Sequence, residues 1–543
     1  MAEAPTDAAA EAVTLDGETL TPEDVVAVAR HGATVHIDDE ARAAVRRSRE
    51  RVEDILDSEE TVYGVNTGFG ELVTERIPAA DIEALQTNLL RSHSAGAGRE
   101  LTTEEVRAML VARLNALVKG YSGVRESVID HLVAFLDEGL HPVVPSRGSL
   151  GASGDLAPLA HAAIILIGEG RADVDGERLD GAAALERIGL EPLTLGAKDG
   201  LALINGTELT SGLGALAVHD ATTLVRAADV AGALSTEVTM SSTAPSHDLI
   251  AEVRPFAGQA ASARNIRRLT ADSQVVESHR NCDRIQDAYS LRCLPQVHGA
   301  VRDAVDHLRE AVETELNSAT DNPLVFDRGD APERASGAGD GAVLSAGNFH
   351  GEPLALRLDY ANNALTELAA IAERRVDRLL NPNVQEDHLP PFLTDHSGSM
   401  SGLMIAQYTA AALLNDCRAS GPHATDSTPV SGNQEDHVSM SAGAAFSFRE
   451  VVEAVQTVVA IELLCAAEAV EYVDRVAERP DHDVPPDEDL DLGRGTNAAY
   501  ETVRTQVAPL GADCELHADI DRLRGFVASG QIVDRVADHV DLE

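Results

Sequence analysis

The sequence predicts a mainly α fold: a long-helix bundle core with a smaller N-terminal α+β region. Three observations carry this reading. Apolar residues recur at helical spacing over long stretches, strand signals are few and short, and the style changes near residue 200, with loops before it and long helices after. The chain therefore divides into an N-terminal region, 1–200, and a helix-bundle region, 201–543. In the first, the Asp16-Gly17 pair in AVTLDGETL and the Asp175-Gly176 pair in ADVDGERL sit between short runs and read as hairpin turns. The apolar run Ala162 to Ile167 reads as a buried helix segment. In the second, Val301, Val305, Leu308, Val312 and Leu316 follow a 3.6-residue period. Further helices are predicted through Leu354–Leu380 and from about Arg449 to Ala477, lengths that pack as bundles. Residues 327–344 (DRGDAPERASGAGDGAVL) are rich in Gly and charge and read as an exposed loop.

Composition narrows the function classes. The 543 residues are 44% hydrophobic but only 3% aromatic, with no Trp, so the core is built of Ala, Val, Leu and Ile. No apolar run has membrane-spanning length and the first residues lack a signal-peptide plan, which predicts a cytoplasmic protein. Acidic residues number 90 against 43 basic, a formal net charge of -47, with lysine only at Lys119 and Lys198. A phosphate backbone would be repelled, which argues against nucleic acid as a partner. Because the acids are spread over periodic helical segments, the reading is a halophilic protein. At about 3 Å screening length in molar salt its self-repulsion nearly vanishes. Five scattered cysteines without CxxC spacing suggest neither a disulfide framework nor zinc; they read as buried free thiols.

The chemistry concentrates in a few segments. Residues 148–161 read GSLGASGDLAPLAH, and Ala152-Ser153-Gly154 offers a rare option. The Gly154 nitrogen, unhindered by a side chain, can close a five-membered ring on the Ala152 carbonyl, and loss of water from Ser153 leaves a methylidene-imidazolone. That is an electrophile made from backbone, where no ordinary side chain serves well. The ordinary alternative is a small-residue turn into a helix, with Asp155 near its N-terminus and Pro158 in its first turn. Tyr63 lies in TVYGVNTGFGEL with Gly64, Gly68 and Gly70, a spacing that matches neither a P-loop nor a dinucleotide fingerprint. His93 ends LQTNLLRSH; Asn205 precedes a glycine in KDGLALINGTE, also a common turn. In NCDRIQDAYSLRCLPQVHG, Gln286, Tyr289 and Arg292 recur three apart, which on a helix would share a face. DNPLVF and SAGNFHGEP add Asn322 and Phe349. Glu435, Asp436 and His437 in STPVSGNQEDHVSM are adjacent and share no helix face, which argues against a metal site.

These segments, in this order and spanning about two thirds of the chain, resemble the aromatic amino acid ammonia-lyases. Ser92-His93, the wording YSLRC and QEDHVSM resemble the histidine-selective branch. Ala346, where most relatives carry Gly, is a mild departure. The resemblance implies elimination of ammonia from L-histidine to give trans-urocanate, the first step of histidine degradation. It implies a methylidene-imidazolone formed autocatalytically from Ala152, Ser153 and Gly154, with no metal or diffusible cofactor. It further implies Tyr63 as base, a role that a tyrosine pKa of about 10 allows only beside positive charge or donors to its oxygen, which Arg292 could help supply. Arg292 with Asn205 would form the carboxylate clamp. His93 and Glu435 would hold the imidazole, Tyr289 and Gln286 would sit beside the electrophile, and Phe349 would pack in the pocket. A homotetramer with shared active sites is implied too. Competing readings are a tyrosine or phenylalanine lyase or aminomutase, and a helical scaffold without turnover.

Overall fold

In a computed structural model, residues 12–67, 77–78, 81–279, 284–396, 398–425, 427–478 and 490–543 are described. Gly68, Gly70 and Cys282 lie outside them. The fold is mainly helical, with only short strands among the described residues. The chain forms two compact units. The first comprises Met1–His219, Leu308–Asp359 and Pro422–Phe446, the second Asp220–His307, Tyr360–Gly421 and Ser447–Glu543.

The long helices are where the apolar periodicity puts them. Leu294–Leu316 buries Val301, Val305, Leu308, Val312 and Leu316, and Glu352–Leu380 covers the segment predicted after Pro353. The helix expected from Arg449 to Ala477 runs from Ser441 to Val470, followed by a 3-10 stretch at Val473–Glu478. It starts early because Ala442, Ala444, Ala445 and Phe446 are buried and extend its apolar side. Ala162 and Ala163 end the helix Leu156–Ala163, and Ile164–Ile167 continues as one 3-10 turn. No described helix is long and apolar enough to cross a membrane.

The loops divide the predictions. Asp175-Gly176 is a hairpin turn: strands Arg171–Val174 and Glu177–Asp180 pair antiparallel, and both turn residues have positive φ, 51° and 77°. Asp16-Gly17 is not. Val13–Leu15 pairs in parallel with Val35–Ile37, with the helix Pro22–His31 between them. The Asp16 carboxylate instead accepts from the backbone of Glu18 and Thr19, a local turn that feeds the capping box at Thr21. Residues 327–344 are also corrected. Only the middle is loop; Leu324–Asp327 and Gly341–Leu344 pair antiparallel. Val325 and Val343 pack with Val52, Ile55, Val62 and Val65, so burial of a few short apolar positions outweighs a glycine-rich composition. Of the cysteines, Cys417 and Cys465 are buried, Cys293 is intermediate and Cys514 is exposed, so the expectation of buried thiols holds for only two of these four.

Candidate active site

The first unit holds a cavity of about 1220 Å³. Its lining brings together Tyr63, His93, Ala152, Ser153, Asn205, Asn322, Phe349 and Glu435 from seven separated stretches of sequence. The Ala152-Ser153-Gly154 segment, which lines it through Ala152 and Ser153, leads into the helix Leu156–Ala163, whose N-cap is Asp155. Gly154 has φ +79°, and a Cβ there would lie 2.0 Å from the Gly206 oxygen, so only glycine fits. The backbone N–H of Asp155 donates to that same oxygen at 2.6 Å. Below it, the fully buried Asp155 carboxylate accepts from the Ser149 hydroxyl at 2.6 Å and the Thr210 N–H at 2.9 Å. Burial pushes its pKa up to about 6 despite those bonds.

Among the described residues, two side chains hydrogen-bond to the serine of the segment. The Ser153 hydroxyl donates to Glu435 Oε1 at 2.7 Å, and Asn205 Nδ2 donates to the Ser153 carbonyl at 2.7 Å. Asn205 Oδ1 is buried without a partner among the described residues, an acceptor left over beside the segment. A tight backbone at residue 154 and a held carbonyl at residue 153 fit the ring-forming chemistry predicted for this segment.

His93 closes the helix Ile82–His93. Its Nδ1 lies 2.9 Å from the Leu89 carbonyl; a carbonyl only accepts, so Nδ1 carries a proton, which in the neutral imidazole leaves Nε2 as the acceptor. Asn322 ties two loops of the lining, its Oδ1 accepting from Ala346 N–H at 2.7 Å and from the Ser345 hydroxyl at 3.1 Å. Ala346 thus keeps the backbone contact that a glycine would make.

Tyr63 stands in surroundings opposite to those a base needs. Burial raises its pKa first, and the negative charges of Asp321 and Glu435 raise it further. Arg292, the expected source of positive charge, belongs to the second unit, as do Gln286 and Tyr289. There the three-apart pattern does not lie on one helix: only Tyr289–Arg292 forms a single turn, and Gln286 precedes it in coil. With its amide oxygen turned to Arg292, Gln286 accepts from Nη1 at 2.6 Å. Tyr289 is 70% exposed and Arg292 is also exposed.

Some lining residues had no separate role in the sequence reading. His350 and His437 stack in the cavity with ring centroids 5.6 Å apart and planes 6° from parallel. The buried charges beside the site were missed as well: Arg113 with Glu208, Lys198 with Asp321, and Glu315. Their signal was present as ionisable residues inside otherwise apolar stretches, such as Arg113 in AMLVARLNALV.

The family model for aromatic amino acid lyases matches residues 20–505. The chain belongs to the aromatic amino acid lyase family. Within it, the chain is 62% identical to the "Probable histidine ammonia-lyase" of Halobacterium salinarum, across 98% of this chain and 99% of that protein. Among solved structures of the family, it resembles histidine ammonia-lyase from Trypanosoma cruzi (TM-score 0.86, 39% identity, 97% of this chain and 95% of that one). It resembles tyrosine aminomutase from Streptomyces globisporus as closely (TM-score 0.88, 38% identity, 98% and 99%). The family fold is therefore shared by different reactions, and the lining residues must discriminate.

Proposed function

We propose that this protein is a histidine ammonia-lyase, eliminating ammonia from L-histidine to give trans-urocanate at the start of histidine degradation. The observation that carries the reading is the cavity in which Glu435 and His93 stand with Tyr63 around Ala152-Ser153-Gly154. A carboxylate and a histidine suit a ring with two nitrogens. The high identity to the Halobacterium relative supports the same substrate.

The β-proton of histidine is barely acidic and its ammonium is a poor leaving group. The methylidene-imidazolone supplies the electron-accepting centre that eases both. The chain's own residues do the rest. Asn205 uses Nδ2 on the Ser153 carbonyl, so its free Oδ1 suits the substrate's ammonium, while its sequence-predicted share in the carboxylate clamp falls to Arg292. The Arg292 guanidinium offers a bidentate fork for that carboxylate. Glu435 and the Nε2 acceptor of His93 hold the imidazole, and Phe349 packs against it. Tyr63 takes the β-proton. Because its own surroundings keep the phenol protonated, this role depends on added positive charge, which we assign to Arg292. Tyr289 and Gln286 act beside the electrophile.

The exposure of Tyr289 and Arg292 supports a homotetramer in which one copy completes the site of another. So do the exposed apolar side chains Leu249, Val253, Phe256 and Ile285 of the same unit. We place the enzyme in the cytoplasm of a salt-accumulating cell, in keeping with its charge of -47.

Urocanate formation from L-histidine, followed by near-ultraviolet absorbance in concentrated potassium chloride, tests the reading with Ser153→Ala alongside. The intact wild-type chain should weigh less than its sequence by two water molecules, and Ser153→Ala should be inactive. Product from tyrosine or phenylalanine but not histidine would overturn the substrate assignment. An unmodified mass with no product from any of the three would overturn the enzyme.

A further inference from the structure

Arg113 does not line the cavity. It is almost wholly buried in the helix Thr103–Val118. A guanidinium in an apolar run is costly unless its N–H groups are engaged. Nη1 donates to Glu208 Oε1 at 2.6 Å and to the Asn205 carbonyl at 3.2 Å, and Nη2 donates to the Ala202 carbonyl. Ala202 belongs to the helix Asp199–Ile204 and Asn205 is its C-cap, so one fork satisfies carbonyls at the end of that helix. Glu208 is steadied in turn by the Thr320 hydroxyl at 2.5 Å.

The residues fixed this way are the ones that press on the electrophile segment. Asn205 holds the Ser153 carbonyl, and the Gly206 carbonyl accepts from Asp155 N–H. A Cβ on Gly206 would lie 2.4 Å from Glu208 Oε2 and 2.5 Å from Arg113 Nη1, while one on Gly154 would lie 2.0 Å from the Gly206 oxygen. The ion pair, the Gly206 peptide and Gly154 are thus stacked with no room for a methyl group at either step.

We infer that Arg113 is a positioning residue for the backbone cyclisation, the rigid support that keeps Asn205-Gly206 pressed against Ser153-Gly154. This rests on the reading that the segment matures. In the step it serves, the Gly154 nitrogen bonds to the Ala152 carbonyl carbon. The Ala152 oxygen leaves as water with the Gly154 and Ser153 amide protons, giving the ring C=N. The Ser153 hydroxyl and α-proton leave as the second water. Nothing is oxidised or reduced. Ring closure depends on how closely nitrogen and carbon are held, and a slip of about 1 Å costs about a hundredfold in rate.

The test is intact mass of folded protein. Arg113→Lys keeps a positive charge opposite Glu208 but loses the planar fork that spans Ala202 and Asn205. The expectation is a chain with wild-type circular dichroism whose maturation is slowed about a hundredfold, so that freshly folded protein keeps the unmodified mass while wild type has lost two waters. A folded Arg113→Lys that matures as wild type does would overturn the inference. Should Arg113→Lys not fold, the double variant Arg113→Gln with Glu208→Gln, which leaves no unpaired buried charge, decides in the same way. Failure of both to fold would overturn it too, in favour of a purely structural ion pair. An unmodified mass in wild type would overturn the underlying reading instead, so the two failures are distinguishable.

Discussion

Glu315 offers a sharp test of the polar core beside the electrophile segment. Its carboxyl accepts from the Thr207 hydroxyl at 2.5 Å, yet burial, helped by the charges of Glu208 and Asp155, pushes its pKa from 4.5 up to about 7. A carboxyl raised on folding favours the folded state only while protonated. Its contribution is whole below the unfolded value and is lost as pH rises through the folded value. At 1.36 kcal/mol per unit, the rise corresponds to about 3 kcal/mol of stability surrendered between about pH 5 and about pH 8. Glu315→Gln keeps an acceptor for Thr207 and removes the titration. The assay is thermal unfolding of wild type and variant across that window in concentrated potassium chloride. The wild-type midpoint should fall relative to that of the variant as pH rises, by up to a few degrees. The surface acids titrate in both proteins and cancel in the comparison. Midpoints that move in parallel would refute the reasoning.

Other predictions follow from the same structure. Glu435→Gln exchanges a charged acceptor for a neutral one, so kcat/KM for histidine should drop about tenfold, with the two-water mass loss intact. An unchanged kcat/KM would remove Glu435 from substrate recognition. Arg375 and Glu462 form a fully buried pair in the second unit, Nε to Oε1 at 2.5 Å, and Arg375→Met should destabilise by about 3–5 kcal/mol because Glu462 is left uncompensated. Adding Glu462→Leu should restore most of the loss in thermal unfolding. In dilute buffer, activity should fall together with the proposed tetramer; sedimentation of an intact but inactive tetramer would contradict this.

The helices were readable because each of their apolar faces repeats locally. Val301 to Leu316 needs no partner to reveal its period. The hairpin at Asp175-Gly176 was readable for the same reason, since both residues accept positive φ and the strands are adjacent in sequence. Asp16-Gly17 carries the same dipeptide, but its strand pairs with Val35–Ile37 across an intervening helix, and no local pattern encodes that choice. The strands Leu324–Asp327 and Gly341–Leu344 were hidden by the composition between them and exist because Val325 and Val343 meet a core supplied by residues 52–65.

For the site, the residue types and motif wording sufficed to nominate Tyr63, His93, Ala152-Ser153-Gly154, Asn205, Phe349 and Glu435, because side-chain chemistry is a property of the residue itself. What surrounds each nominee is decided by its neighbours in space. Only the tertiary structure sets Glu435 on the Ser153 hydroxyl, commits the Asn205 N–H₂ to a carbonyl, surrounds Tyr63 with negative charge and turns Gln286, Tyr289 and Arg292 outward. Those outcomes depend on burial and on polar and charged groups brought close from hundreds of residues away, as the Ser153 hydroxyl and the Glu435 carboxylate are. Desolvation and Coulomb energy act through distance in space, and spacing along a chain does not record it.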